Sequence, residues 1–216
     1  MTREALPVVE PPFSVDDSDV ATSQSTVVGV VLAAGRSSRY GEANKLLVEW
    51  KGTPLVSHAT ETVSRSAVDA TVVVVGEERE RVQAAVADSD AAVVYNDAYS
   101  AGQSTSVCRG LEVAREFDAD AVVFTLGDMP TVDVESLDLL VAAYRADVGD
   151  ALAAACSGVR GNPVLFGCRH FEALAEVTGD IGGREIFRAD DSAALVETGD
   201  PGVLVDVDYP SDIESL

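Results

Sequence analysis

Leu32-Ala33-Ala34-Gly35-Arg36-Ser37-Ser38-Arg39-Tyr40-Gly41 follows an apolar run and ends a few positions before Lys45. Small residues let backbone amides approach phosphate oxygens closely, and Arg39 and Lys45 bring the charge to neutralise a polyphosphate. The stretch carries neither G-x-G-x-x-G nor the G-K-S/T of a P-loop, which disfavours a dehydrogenase or a P-loop ATPase. An ordinary glycine-containing turn flanked by surface cations is the plain alternative. A second apolar run delivers Leu126-Gly127-Asp128-Met129-Pro130, where the Asp128 carboxylate can hold a magnesium ion beside phosphates. Taken by itself, G-D-M-P is equally a simple turn. Asp206 and Asp208 lie two apart on an extended segment and so project to one side, where their oxygens can join Asp128. Asp208 is the favoured ligand, and Asp212 fits the first turn of a helix better than a metal site.

These residues need elements to position them. Val27 to Leu32 reads as a strand buried on both faces. A helix should begin at Pro54, with Leu55, Val56, Ala59 and Val63 on one side. Thr71 to Val75 and Val93 to Tyr95 read as strands separated by a charged helix that turns Val82, Ala85 and Val86 inward. Ser104 to Glu116 reads as a helix, Ala121 to Leu126 as a strand and Val134 to Tyr144 as a helix. This alternation predicts a mostly parallel sheet with helices on both faces, with ligands beyond the carboxyl ends of the strands. After Asp150 the pattern loosens: Ala151 to Ala155, Pro163 to Phe166 and Val203 to Val207 are strand candidates, with a helix around Phe171 to Val177.

The 216 residues, 47% of them hydrophobic, fit one domain over residues 26–216. Residues 1–25 mix prolines with acids and lack an apolar period, so a disordered acidic tail is expected there. No apolar run approaches the ~20 residues that cross a bilayer, and no secretory pattern opens the chain, which predicts a cytoplasmic protein. With 37 acidic against 15 basic residues the net charge is −22, which repels nucleic acid and anionic membranes. Lys45 and Lys51 are the only lysines. An acidic, lysine-poor composition resembles that of halophilic archaeal proteins, which stay soluble in brine where salt screens their self-repulsion. Cys108, Cys156 and Cys168 stand far apart and read as buried free thiols. His58 and His170 fit no metal spacing, and Trp50 is expected at the edge of the core.

The stretch from Leu32 to Lys45 resembles the L-A-A/G-G-x-S-x-R-M/Y-G-x-x-K signature of the MobA-like nucleotidyltransferases, with one residue more between Arg39 and Lys45. L-A-A-G is similar to the branch that makes the cytosine dinucleotide form of the molybdenum cofactor, the guanine branch usually carrying L-A-G-G. In the family G-D-M/Q-P binds metal, and Asp206 to Asp212 resembles its D-I-D-T-P-E-D ending. Asn96 to Leu111 resembles a segment that places Gly102, Ser106 and Gly110 near the nucleotide. Gly161-Asn162-Pro163 and Gly179 to Arg184 resemble the G-H/N-P and G-D-x-G-x-R pair of the cytidylyltransferase branch. Asn162 stands where many members have histidine, which removes any titratable base at that point.

The resemblance covers Val28 to the C-terminus and implies a three-layer α/β/α Rossmann-like nucleotidyltransferase fold. It implies Arg39, Lys45 and Asp128 as catalytic residues and Leu32, Ala33, Ala34, Gly35, Arg39, Lys45, Gly102 and Ser106 around the nucleotide. Asp128 and Asp208 would hold Mg2+, while Asn162, Asp180 and Arg184 would meet the acceptor. The implied reaction moves CMP from CTP, or another nucleoside monophosphate from its triphosphate, onto the phosphate of molybdopterin, releasing pyrophosphate. A molybdenum hydroxylase is the implied downstream partner. Two other readings stay open: a different phosphorylated acceptor, such as a sugar phosphate or phospho-acid, and a non-catalytic protein that delivers cofactor to such a hydroxylase.

Overall fold

The computed structural model of the chain describes residues 6–13, 25–37, 40–41, 43–179 and 183–216. Its centre is an eight-stranded sheet built from β1 (Val8–Val9), β2 (Val27–Ala33), β5 (Ala70–Val75), β6 (Ala92–Tyr95), β7 (Ala121–Leu126), β8 (Ala151–Cys156), β9 (Val159–Gly167) and β10 (Ala194–Glu197). A separate hairpin holds β3 (Glu49–Trp50) and β4 (Thr53–Pro54). The order across the sheet is β1-β10-β8-β9-β7-β2-β5-β6. Within it β9 runs antiparallel to both neighbours, and the other pairings are parallel.

Valine runs make the centre of this sheet because β-branched side chains suit strands covered on both faces. Val27, Val31 and Ala33 of β2 pack with α1 (Leu55–Arg65), α2 (Arg79–Ala85) and α4 (Val134–Arg145), whose Val63, Val82 and Leu140 are fully buried. Val28 and Val30 point the other way, onto α3 (Gln103–Glu116), α5 (Phe171–Ala175) and α6 (Arg184–Ala189), through Leu111, Leu174 and Phe187. The alternation of side chains along one strand thus produces the expected three layers. The chain runs β2, β5, β6 in one direction and then returns to place β7 on the opposite side of β2. The loops after β2 and β7 therefore leave the sheet at a topological switch point, the usual place for a ligand.

The second half departs from the sequence expectations. Val203 to Val207 is not a strand: Pro201–Leu204 forms a 3-10 turn, because Pro201 cannot donate to a ladder and Asp200 caps the turn through Gly202 N–H at 2.7 Å. The strand expected at Pro163 to Phe166 extends back to Val159. The four-residue β10 carries too short a pattern to be recognised beforehand. Within the stretch expected as a disordered tail, Leu6 to Phe13 are described, and Val8 and Val9 pair with Leu195 and Val196. The open edge of β10 accepts them through backbone bonds that need no apolar period. Cys168 is exposed and Cys108 and Cys156 are half-buried, so the thiols are free but not buried. His58 lies near Trp50, Nε2 being 2.9 Å from the Trp50 carbonyl oxygen. No helix among the described residues is long and apolar enough to cross a membrane.

Candidate active site

The loop leaving β2 is shaped by its short polar side chains. Ser37 adopts φ 50°, its hydroxyl donates to Asn44 Oδ1 at 3.2 Å, and its oxygen accepts from Lys45 N–H at 3.1 Å. Asn44 Oδ1 also accepts from Leu46 N–H at 3.1 Å and so starts a 3-10 turn, Lys45–Leu47. Leu46 is buried beneath, which leaves Lys45 aimed back at the loop. The resulting cavity of about 500 Å³ is lined by Leu32, Ala34, Gly35, Lys45, Gly102, Ser106, Asp128 and Asp208 among the expected residues. Ala33 does not line it, being packed in the core at 1% exposure. Arg39 lies outside the described residues.

The far wall begins where Gly102, at φ 115°, turns the chain into α3 in a conformation other residues rarely adopt. Ser106 is buried and accepts from Asn96 Nδ2 at 3.0 Å, so one of its bonds is already structural. Gly110 serves packing: a Cβ there would meet Val30 at 2.5 Å.

The charged centre of the site is compact. Lys45 Nζ lies 2.5 Å from Asp128 Oδ2 and 2.8 Å from Asp208 Oδ1. Asp128, Asp206 and Asp208 each offer an oxygen within 4.8 Å of the others. Burial pushes the Asp128 carboxyl above the usual aspartate range, against the pull of Lys45 and with the help of nearby Asp206. Burial would lower Lys45, but Asp128 and Asp208 outweigh it and raise its affinity for the proton. Asp128 Oδ1 is buried without a hydrogen-bond partner. A hard divalent cation seeks this donor set, three carboxylates with one oxygen unsatisfied.

Long-range contacts bring Asp206 and Asp208 to Asp128. Asp200 accepts from Asp133 N–H at 2.9 Å and Ser136 Oγ at 2.8 Å, pinning the C-terminal segment to the start of α4. Val207 N–H then donates to the Asp128 carbonyl at 3.0 Å. Val207 is fully buried, so its neighbours Asp206 and Asp208 both turn to the carboxylate cluster. Asp212 accepts from the Asp208 and Tyr209 N–H groups at 2.9 and 2.7 Å, the helix-start role expected of it, at α7 (Pro210–Ile213).

A second cavity, of about 310 Å³, shares Leu32, Gln103 and Leu126 with the first and is lined by Asn162 and Arg184 as expected. Asp180 lies outside the described residues. Gly161 is required here by close approach, since a Cβ would fall 2.1 Å from the Val203 carbonyl oxygen. The G-N-P segment therefore braces the strand against the tail that carries Asp206 and Asp208. The sequence analysis did not single out Asn44, Asp200 or Arg160. Asn44, next to Lys45, and Arg160, next to Gly161-Asn162-Pro163, had motif neighbours as a signal; Asp200 bonds across 64 positions and had none.

The sequence pattern of the MobA-like NTP transferase domain matches residues 29–194. The chain belongs to that family. It is a nucleotidyltransferase on the family's fold. Among its relatives, the purine catabolism protein PucB of Bacillus subtilis is 30% identical over 200 residues, 88% of this chain and 95% of PucB. The nicotine blue oxidoreductase of Paenarthrobacter nicotinovorans is 29% identical over 175 residues, 77% of this chain and 84% of that protein. A nucleotidyl transferase from Methanothermobacter superposes with a TM-score of 0.74 at 25% identity, over 88% of this chain and 95% of that one.

Proposed function

We propose that the protein transfers CMP from CTP to the terminal phosphate of the molybdopterin cofactor and releases pyrophosphate. The observation that carries this reading is the pairing of two adjoining cavities, one holding the Lys45, Asp128 and Asp208 cluster and the other lined by Asn162 and Arg184. The choice of cytidine rests on the resemblance of Leu32-Ala33-Ala34-Gly35 to the cytidylyltransferase branch of the family. Ala34 and Tyr99 both line the first cavity. PucB is named for purine catabolism, which supports a service role in heterocycle metabolism.

An acceptor phosphate is already anionic at neutral pH, so its oxygen can attack the α-phosphorus without a strong base. The new P–O bond forms as the bond between the α-phosphorus and its bridging oxygen breaks, and pyrophosphate carries away the electron pair. Catalysis is then positioning and charge neutralisation, which suits a site without a histidine or cysteine constellation. Lys45 and Arg39 bind the phosphates in this scheme, with Gly35 and Ala34 keeping the backbone close. Asp128, Asp206 and Asp208 would hold Mg2+, which supplies charge stabilisation at the reacting phosphate. The buried, unpartnered Asp128 Oδ1 supports that fit.

Pyrophosphate release is the assay for this reading, run with CTP and GTP and with molybdopterin or a sugar phosphate as acceptor. CTP with molybdopterin is expected to give the fastest release. Preference for a sugar phosphate would reassign the acceptor, and absence of turnover with every pair would favour a delivery protein.

A further inference from the structure

We propose that Arg160 is the anchor for the acceptor's phosphate. The inference rests on the reading that an anionic acceptor meets the nucleotide in this cleft. Arg160 projects from β9 with its guanidinium carbon 4.4 Å from the ring centroid of Phe187, which is itself fully buried. Stacking on the ring holds the guanidinium plane in a fixed orientation, which suits two-point binding of phosphate. Its Nε is buried and has no hydrogen-bond partner.

Burial sets Arg160 apart from the other arginines. Arg65, Arg81, Arg109, Arg145 and Arg169 each have an acidic partner, and Arg36, Arg79, Arg115, Arg184 and Arg188, which pair with no carboxylate among the described residues, are exposed, whereas Arg160 is half-buried. Among the described residues no carboxylate pairs with Arg160, Arg184 or Arg188. Burial, and then the charges of Arg184 and Arg188, pull Arg160 below the usual arginine range. A half-buried cation among other cations, in a protein rich in acids that could have neutralised it, is a costly arrangement that an incoming anion relieves.

The space next to it can take the body of the molecule that carries the anion. Val164, Phe166 and Leu174 line the 310 Å³ cavity together with Arg160 and Arg184. Gln103 and Asn162 add polar groups to the same lining, so the cavity offers hydrogen bonds as well as apolar contact. Gly183 makes room for this wall, since a Cβ there would fall 2.6 Å from the Phe166 ring. Leu32, Gln103 and Leu126 are common to both cavities, so an acceptor held at Arg160 adjoins the nucleotide.

The test is calorimetric titration of the full chain with the phosphate ester of 6-hydroxymethylpterin, with 6-hydroxymethylpterin itself and with CTP. Two variants are compared: Arg160→Met, which keeps a side chain over Phe187 but removes the charge, and Arg160→Lys, which keeps the charge but removes the planar fork. The ester is expected to bind the natural chain at least 10-fold more tightly than the Arg160→Met variant, with Arg160→Lys between them and CTP affinity unchanged within twofold. Should Arg160→Met fail to fold, Arg160→Lys carries the comparison, with a loss of ester affinity at constant CTP affinity as the expected result. Unchanged ester binding in the variants, an equal loss for CTP, or no ester binding by the natural chain would overturn the proposal. If the natural chain does not turn over molybdopterin but ester binding still depends on Arg160, the molybdopterin reading falls and the anchor stands. If turnover is normal and the KM for molybdopterin is the same in Arg160→Met, the anchor falls and the reading stands.

Discussion

Lys45 sits between Asp128 and Asp208 at 2.5 and 2.8 Å, whereas Arg160, across Leu32 and Leu126, has a buried Nε without a partner. On the proposed reading the first is the nucleotide wall, charge-balanced within itself, whose cation would exchange carboxylate for phosphate when substrate enters. The second would be the acceptor wall, with positive charge from Arg160, Arg184 and Arg188. The proposed contrast is that charge in this cleft would do two jobs: on one side it also holds the fold, and on the other it would serve binding alone. Breaking a pair on the first side should cost stability and activity together, and removing a cation on the second should cost acceptor binding only.

The largest effect is expected from Asp128→Ala. Pyrophosphate release should fall by at least ~100-fold. Lys45 would keep Asp208, and the loss of its Asp128 contact is partly offset by removal of a carboxylate that burial disfavours, so urea unfolding should show a loss of about 1 kcal/mol. Next comes Gly161→Ala, which attacks the brace between the two walls. The added Cβ must displace Val203, 2.1 Å away at its carbonyl oxygen, so about 2 kcal/mol of stability is expected to go, along with a slower kcat as Asp206 and Asp208 shift. Unchanged kcat in a folded Gly161→Ala protein would separate the two walls.

Asp190 tests what holds the acceptor wall in place. It ends α6, the helix of Arg184 and Arg188, and lies 2.5 Å from both Arg169 and His170. Burial would raise its carboxyl, but the Ser192 hydroxyl and N–H and the Arg169 charge outweigh that and hold it below the ordinary aspartate value of 3.8. A depressed folded-state pKa means stabilisation present above the unfolded value and lost as pH falls below about 3.8. Asp190→Asn should therefore destabilise by about 1 kcal/mol at pH 7, a figure discounted because Arg169 is half exposed, and by less near pH 3. Equal destabilisation at both pH values in urea melts would contradict the ionic role. The smallest expected effect is that of Arg160→Met on folding. Replacing an unpaired, half-buried cation by an apolar chain should leave unfolding free energy within about 0.5 kcal/mol or raise it.

The same contrast explains what was legible in the sequence. The alternation of Val27 to Leu32, Thr71 to Val75 and Ala121 to Leu126 with amphipathic helices announces the sheet, because burial on both faces imposes its own composition. Lys45, Asp128 and Asp208 were legible because each sits in or beside a short motif, Asp128 directly after a strand end. Arg160 was not, since its significance lies in the absence of a carboxylate and in Phe187, 27 positions along the chain only by folding brought beneath it. Val203 to Val207 reads as a strand by composition, yet Asp200 and Pro201 turn it, and its bonds run to Asp128 instead of to a ladder. The pairing of Val8 and Val9 with β10 is likewise a property of the sheet edge and not of those two residues.

The central claim is most directly tested by pyrophosphate release with molybdopterin as acceptor, CTP against GTP, in the natural chain and in Asp128→Ala. The natural chain should release pyrophosphate from CTP far faster than from GTP, and the variant should release almost none. Equal rates for the two nucleotides, or full activity without Asp128, would contradict the account.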